Sequence, residues 1–430
     1  MFSNPFHSQL LSVDKHALDK FKRLFYVFLV VYVLALAARP SPYRRLYFIP
    51  LLALAIYGAA LSSGSPLLDY FLGNFLFITL FGASDWILLT DVQRELYFLN
   101  AKEGQQQQIA ADSSFRERVS WALRLLGNPR GVGWAHEARH ASPARPPPTT
   151  KPWTFVFSQL LTALFAVLLA EAMNLFNQAH TPSLYANRDG PGLAGPGSGT
   201  SLGERYANVL LFAVPFVAWS LIIPGSLSDA VSVATGSMHP QDCPPATGSL
   251  EKLFTLRNFW GRVWHQQNRR FLASHGRFFA HRILRLPRGT YLSAYTQLFV
   301  AFFVSGMMHY IPEYMTLRNW GGGALRFFLM QALAILVEDR VLALGRQVVG
   351  SANTRRWKLL GYLWVWTWFA WTLPGWVDPL ARTGLNWPRS LPEKNAAQNT
   401  LLGLLGLEHG SCANTTDRFP PYGEVSVEPR

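Results

Sequence analysis

An all-α, polytopic transmembrane helical bundle of about eight spans is the fold class this chain predicts, on three observations. Half of its 430 residues are apolar and only 15% are charged, against roughly 25% charged in soluble chains. Apolar runs recur along the sequence at 24–38, 46–61, 71–89, 153–173, 209–224, 292–310, 324–344 and 359–373, and a helix crossing the hydrocarbon needs about 20 residues. The basic residues gather in alternate connections, as expected when one set of loops is cytosolic.

The first run follows Lys20, Lys22 and Arg23, and Ala35-Leu36-Ala37 resembles a cleavage site. With seven further runs behind it, an uncleaved helix is the expectation. Residues 91–152 form a polar, arginine-rich connection read as a cytosolic loop, with Arg116, Arg118, Arg124 and Arg130. Gln105–Gln108 is a short polar tract, and the 141–151 stretch with Pro146-Pro147-Pro148 reads as an exposed linker. Residues 186–203, dense in Gly, Pro and Ser, predict a flexible lumenal loop. The segment 252–288 holds nine Lys/Arg and no acid, and 345–358 adds four more basic residues. If eight spans alternate, the basic connections share the cytosolic side. Both termini then face the lumen, as does the 380–430 tail, whose Asn414-Thr415-Thr416 is a glycosylation sequon. The localisation expected is an internal membrane of the secretory route, the endoplasmic reticulum.

The net charge of +14 fits cytosolic basic loops. No basic helix with interleaved aromatics resembles a nucleic-acid module, so membrane lipid and no nucleic acid is the expected partner. Two cysteines, Cys243 and Cys412, allow no disulfide framework or paired zinc motif, and both are expected as free thiols. Asp85, Glu171, Glu338 and Asp339 interrupt apolar runs and are expected to face the bundle interior.

Two histidines stand out. His309 is the lone titratable group of the run 292–310, and ionisable groups inside a membrane tend to mark function. His265 lies in a polar cluster one connection upstream. On one continuous interfacial helix, Asn258, Arg262 and His265 share a face, with Trp260 and Trp264 four apart on its neighbour. The tryptophans read as headgroup anchors or substrate contacts, and the arginines as a positive-inside bias or a grip on cofactor phosphates. Taken singly, each histidine also reads as a structural or surface group.

Phe259-Trp260-Gly261-Arg262-Val263-Trp264-His265-Gln266 resembles the FWGRRW(N/H) signature of the wax-synthase-like branch of the membrane-bound O-acyltransferases. Ser305-Gly306-Met307-Met308-His309 is similar to that family's small-residue and histidine motif. Gln331 with Glu338-Asp339, and the aromatic stretch 364–371 ending Pro374-Gly375-Trp376, fit as well. The likeness runs over 250–379, the expected catalytic region; the N-terminal half agrees only in hydropathy. A histidine at position 265 resembles fungal members that acetylate terpenoids and meroterpenoids, whereas plant wax synthases carry asparagine there. Val263 replaces a commoner arginine, and Asn258 stands where many relatives have an acid.

The resemblance implies one integral-membrane domain over 1–430 and O-acyl transfer. Acetyl-CoA is the favoured co-substrate and a hydrophobic alcohol the acceptor, with no bound cofactor and no metal. It implies His309 as general base, His265 as oxyanion donor with Asn258 as second choice, and Arg262, Arg269, Arg270, Trp260 and Trp264 on the cofactor side. Wax-ester synthesis from long-chain acyl-CoA and a fatty alcohol is the nearest alternative. A transporter is the alternative of another class; it predicts repeat symmetry or broken helix pairs, and the sequence shows neither.

Overall fold

The computed structural model describes residues 14–99, 106–107, 109, 112–137, 144–180, 201–349 and 355–383. Asn414, Cys412, most of the 186–203 loop and the tail beyond 383 lie outside the described residues.

Each of the eight apolar runs folds as helix. They become α1 (Lys15–Ala37), α2 (Phe48–Ala60), α3 (Pro66–Ser84) and, after α4 (Phe115–Leu126) in the first long connection, α5 (Pro152–His180). There follow α6 (Leu202–Val217), α7 (Ile223–Ala234), α8 (Arg269–Phe278), α9 (Tyr291–Leu317), α10 (Ala324–Val349), α11 (Arg355–Thr372) and α12 (Pro374–Ala381). Four helical stretches among the described residues are long and apolar enough to cross a membrane: Pro66–Leu89, Pro152–Phe176, Gly203–Ala234 and Tyr291–Leu317. Phe157, Leu164 and Phe165 stand exposed along α5, a face suited to lipid and costly in water.

Local chemistry sets the helix starts. Ser65 caps α3 ahead of Pro66, Thr290 caps α9, and Ser114–Glu117 and Ser201–Glu204 form reciprocal capping boxes at α4 and α6. The residues 201–203, expected in a flexible loop, therefore cap and open α6. The 91–152 connection also holds more structure than a loop. Gln106–Gln107 pairs antiparallel with Phe98–Leu99, and Phe98 bridges to Trp134, so part of the polar glutamine tract is held by backbone pairing and an aromatic brace.

Two buried regions organise the molecule. One joins α1 to α4 through Phe28, Tyr32, Leu36, Leu51, Leu76, Trp86 and Trp121. The other joins α9, α10 and α11 through Phe302, Phe327, Phe328, Ile335 and Val365. Glycines let α9 approach its neighbours closely. A methyl group on Gly73 of α3 would meet Met315 Sδ at 2.8 Å, one on Gly276 of α8 would meet the Gln297 carbonyl at 2.9 Å, and one on Gly306 would meet Leu325 at 2.9 Å. The glycine of the Ser305-Gly306 motif is thus a contact point between α9 and α10.

The segment 252–288 is not one helix. A short helical turn, Leu256–Asn258, runs into a π-type turn, Phe259–Val263, and the chain leaves it extended at Trp264 (φ −65°, ψ 152°). The break is stabilised by bonds to backbone groups: Trp264 N–H donates to the Phe259 carbonyl at 2.7 Å, the Gln266 amide to the Trp264 carbonyl at 2.6 Å, and Arg269 to the Gly261 carbonyl at 2.9 Å. His265 therefore lies beyond the break, and the shared helical face expected for Asn258, Arg262 and His265 does not form.

Candidate active site

The aromatic cluster where α9, α10, α11 and α12 meet is built around the imidazole of His309. Its ring lies parallel to Phe328 at 5.1 Å and tilted against Trp376 at 5.2 Å. Trp260, from the π-type turn, packs edge-on against Phe302 at 5.5 Å and against the same Phe328 at 5.7 Å. Trp260 is thus a wall of the cluster that holds His309. Trp264 lies parallel to Phe216 at the end of α6 (6.5 Å) and against His265 (5.0 Å).

His309 Nδ1 is shielded from solvent and has no hydrogen-bond partner, and the same is true of His265 Nδ1. The two histidines are linked through rings: His265 packs on Trp264, Trp264 on Trp260 at 6.1 Å, and Trp260 on the Phe328 that lies against His309. Burial, helped by the charge of Arg130, pushes the His265 imidazole down to about 4, which keeps it neutral near pH 7. Each residue as a whole is partly covered. A neutral imidazole holds one free lone pair and one N–H, the pair needed to take a proton and to donate a hydrogen bond.

The remaining expected site residues divide. Asn258 is half-buried; its backbone N–H bonds to Thr255 Oγ1 at 3.0 Å, closing the first turn. Arg262 is exposed. Arg269 bonds to Gly261 and to Gln266 Oε1 (2.7 Å), stabilising the break. Arg270 is half-buried, with Nε 3.2 Å from Asp85 Oδ2 and Nη2 donating to Thr90 Oγ1 at 3.2 Å. Both arginines have internal partners and are part-exposed, whereas Arg262 is exposed.

The acids of α10 also have structural partners. Glu338 accepts from the Leu256 backbone N–H at 2.7 Å and from Trp364 Nε1 at 3.1 Å, and Asp339 pairs with Arg257 and accepts from Tyr295 at 2.8 Å. Gln331 Oε1 accepts from Trp368 at 2.9 Å and Trp260 at 3.5 Å. These α10 side chains dock the motif turn onto the bundle. Cys243 is a buried free thiol pushed up to about 12 by burial, so it is a poor nucleophile.

Two residues escaped the sequence reading. Arg130, taken only as loop charge, donates to the carbonyls of Pro244 and Pro245 at 2.8 and 2.9 Å and acts on His265. Glu313, one turn beyond His309, is fully buried. The run 292–310 stops short of it, but its four-residue spacing from His309 was visible.

Imidazoles with unpartnered nitrogens thus sit among apolar walls in a bundle that contains helices of membrane-spanning length. A profile described as "Membrane bound O-acyl transferase family" matches residues 243–330, which contain both motifs. The chain is 34% identical over 355 residues to "Acetyltransferase ple2" of Rhodocybe pseudopiperita, covering 81% of this chain and 88% of that protein. It is 35% identical to "Acetyltransferase eriL" of Hericium erinaceus, with 82% and 88% covered, and 26% identical to "Acetyltransferase sirH" of Leptosphaeria maculans, with 87% and 94% covered. No solved structure matches. The chain belongs to the membrane-bound O-acyltransferase family.

Proposed function

We propose that the protein transfers an acetyl group from acetyl-CoA to a hydroxyl of a hydrophobic acceptor, a terpenoid or meroterpenoid of fungal secondary metabolism. The observation that carries this reading is that His309 and His265, each with a shielded, unpartnered Nδ1, border one aromatic cluster. Neutral His309 accepts the hydroxyl proton while the acceptor oxygen bonds to the thioester carbonyl carbon. His265 donates to the developing oxyanion, with Asn258 as the second candidate. The C–S bond then breaks, and the imidazolium returns its proton to the CoA thiolate. Loss of a neutral alcohol's solvation is small in such a chamber, which suits acceptors that partition into lipid. Arg262 is the arginine we assign to the CoA phosphates, and Trp260 and Trp264 line the chamber on the donor side. The acetyl preference is supported by relatives named as acetyltransferases at 34% and 35% identity.

The accompanying topology is eight crossings of the endoplasmic reticulum membrane, with 91–152 cytosolic, 186–203 lumenal, both termini lumenal and Asn414 glycosylated. A C-terminal tag protected from protease in sealed microsomes is the expected result; digestion would overturn this arrangement.

The test of function is incubation of microsomes with radiolabelled acetyl-CoA or palmitoyl-CoA against a panel of terpenoid and fatty alcohols. Acetyl transfer to a terpenoid hydroxyl is expected. Faster transfer from palmitoyl-CoA, to a fatty alcohol, would replace this reading with wax-ester synthesis.

A further inference from the structure

Glu313 has no part in the chemistry above, yet it is fully buried one helical turn beyond His309. A buried carboxylate is costly unless its oxygens are met. Here they accept from the backbone N–H of Ala324 at 3.0 and 3.2 Å. Ala324 opens α10, and the first N–H groups of a helix have no partner within the helix and favour an acceptor.

The contact depends on two glycines without side chains. A methyl group on Gly322 would strike Glu313 Oε2, and one on Gly323 would strike the Gly375 carbonyl. The end of α9, the start of α10 and the α11–α12 junction therefore interlock at this carboxylate. From that point run the walls of the histidine. Phe328 lies one turn into α10, and Trp376 follows Gly375 directly. They contact each other at 5.2 Å and the His309 ring at 5.1 and 5.2 Å.

We propose that Glu313 is a positioning residue for acyl transfer: by pinning the start of α10 to α9 and against Gly375, its carboxylate fixes Phe328 and Trp376 around the His309 imidazole. The inference rests on the reading of His309 as the general base. Aromatic contacts restrain the ring without occupying its nitrogens, so the grip sets direction and leaves the lone pair free. A small misplacement of a catalytic group is expensive in rate, whereas Arg262, assigned to the CoA phosphates, stands on the π-type turn and not on these helices.

Four purified variants test this: Glu313→Ala, Glu313→Gln, Gly322→Ala and His309→Ala, each assayed for kcat and for KM of acetyl-CoA. Glu313→Ala is expected to lower kcat by about tenfold to a hundredfold with KM for acetyl-CoA nearly unchanged. Glu313→Gln keeps an oxygen for the Ala324 N–H and should restore most of kcat. Gly322→Ala displaces the carboxylate from the other side and should show the same loss of kcat; it decides the matter if Glu313→Ala does not fold. Unimpaired kcat in both Glu313→Ala and Gly322→Ala, or a loss carried by KM, would overturn the proposal. So would a Gln variant as damaged as Ala, which would make Glu313 an acid–base group. Activity in His309→Ala would overturn the base assignment instead, whereas an inactive His309→Ala beside an unimpaired Glu313→Ala would overturn only the clamp.

Discussion

Two buried polar regions of this molecule are satisfied in opposite ways. Where α8 meets α3, charge is set against charge and the histidine is hydrogen-bonded. Asp85 faces Arg270 at 3.2 Å and accepts from Thr90 at 2.8 Å, and Arg44 donates to the Thr90 carbonyl at 3.1 Å. His275 nearby is bonded at both nitrogens, to Ser84 Oγ at 2.9 Å and the Phe271 carbonyl at 2.7 Å. Around His309 and His265, by contrast, the neighbours are rings, and the shielded Nδ1 atoms have no partner. Unmet buried polar groups cost free energy. On the proposed reading the Asp85–Arg270 region serves the architecture and the imidazoles of His309 and His265 serve the chemistry; an unmatched imidazole alone is no sign of catalysis, since His136 is unmatched as well.

Substitutions sharpen that contrast. In the unmatched region, His265→Ala should lower turnover by about 10²–10³, the usual effect of losing one oxyanion donor, and His265→Asn should recover part of it. Equal damage from Ala and Asn, measured as kcat on purified enzyme, would remove the donor role. At the exposed rim, Arg262→Ala should raise KM for acetyl-CoA roughly tenfold, the scale of one charge-assisted hydrogen bond. The KM of the alcohol should stay put, because it carries no phosphate. An equal rise for both substrates would indicate a loosened turn instead.

His136 provides a subtler case. It lies in the connection after α4, both its ring nitrogens are shielded and unpartnered, and burial, with the charge of Arg270, holds it at about 3. The unfolded chain, with a histidine near 6.5, binds the proton more readily than the folded one. Stability should therefore fall as pH drops from about 6.5 toward 3. Replacing His136 by Leu should flatten the decline of Tm over that window, measured in detergent, without lowering kcat at neutral pH. A decline as steep as that of the unaltered protein would show that His136 is not the group taking up the proton.

Much of this arrangement was legible in the sequence, and the illegible parts share a cause. Apolar runs became helices because apolar length is a local property. His309 and His265 stood out because a polar residue in an apolar setting is visible on its own. The break at Trp264 was hidden, since it depends on Gln266 and Arg269 folding back onto the carbonyls of Trp264 and Gly261. Arg270 looked open because its partner, Asp85, is 185 positions away and no local pattern links them. Arg130 was invisible for the same reason: it meets Pro244 and Pro245 only through tertiary packing. Glu313 differs. Its spacing from His309 was there to read, and it was lost because the apolar run ends at 310 while α9 continues to Leu317. Gly306 was noticed as part of a motif, but its use, letting α10 approach closely enough for Phe328 to cover His309, required the neighbouring helix.

The central claim is that the imidazoles of His309 and His265 do the chemistry while the Asp85–Arg270 pair holds the fold. Its most direct test measures kcat and Tm together for His309→Ala and Asp85→Asn in the same detergent. His309→Ala should lose about 10²–10⁴ in kcat, the contribution of a general base, and keep its Tm. Asp85→Asn leaves Arg270 half-buried without a counter-charge, a loss of about 3–5 kcal/mol. It should melt several degrees lower while its folded fraction turns over at nearly the normal rate. Wild-type-like turnover in His309→Ala, or loss of kcat in a fully stable Asp85→Asn, would contradict the account.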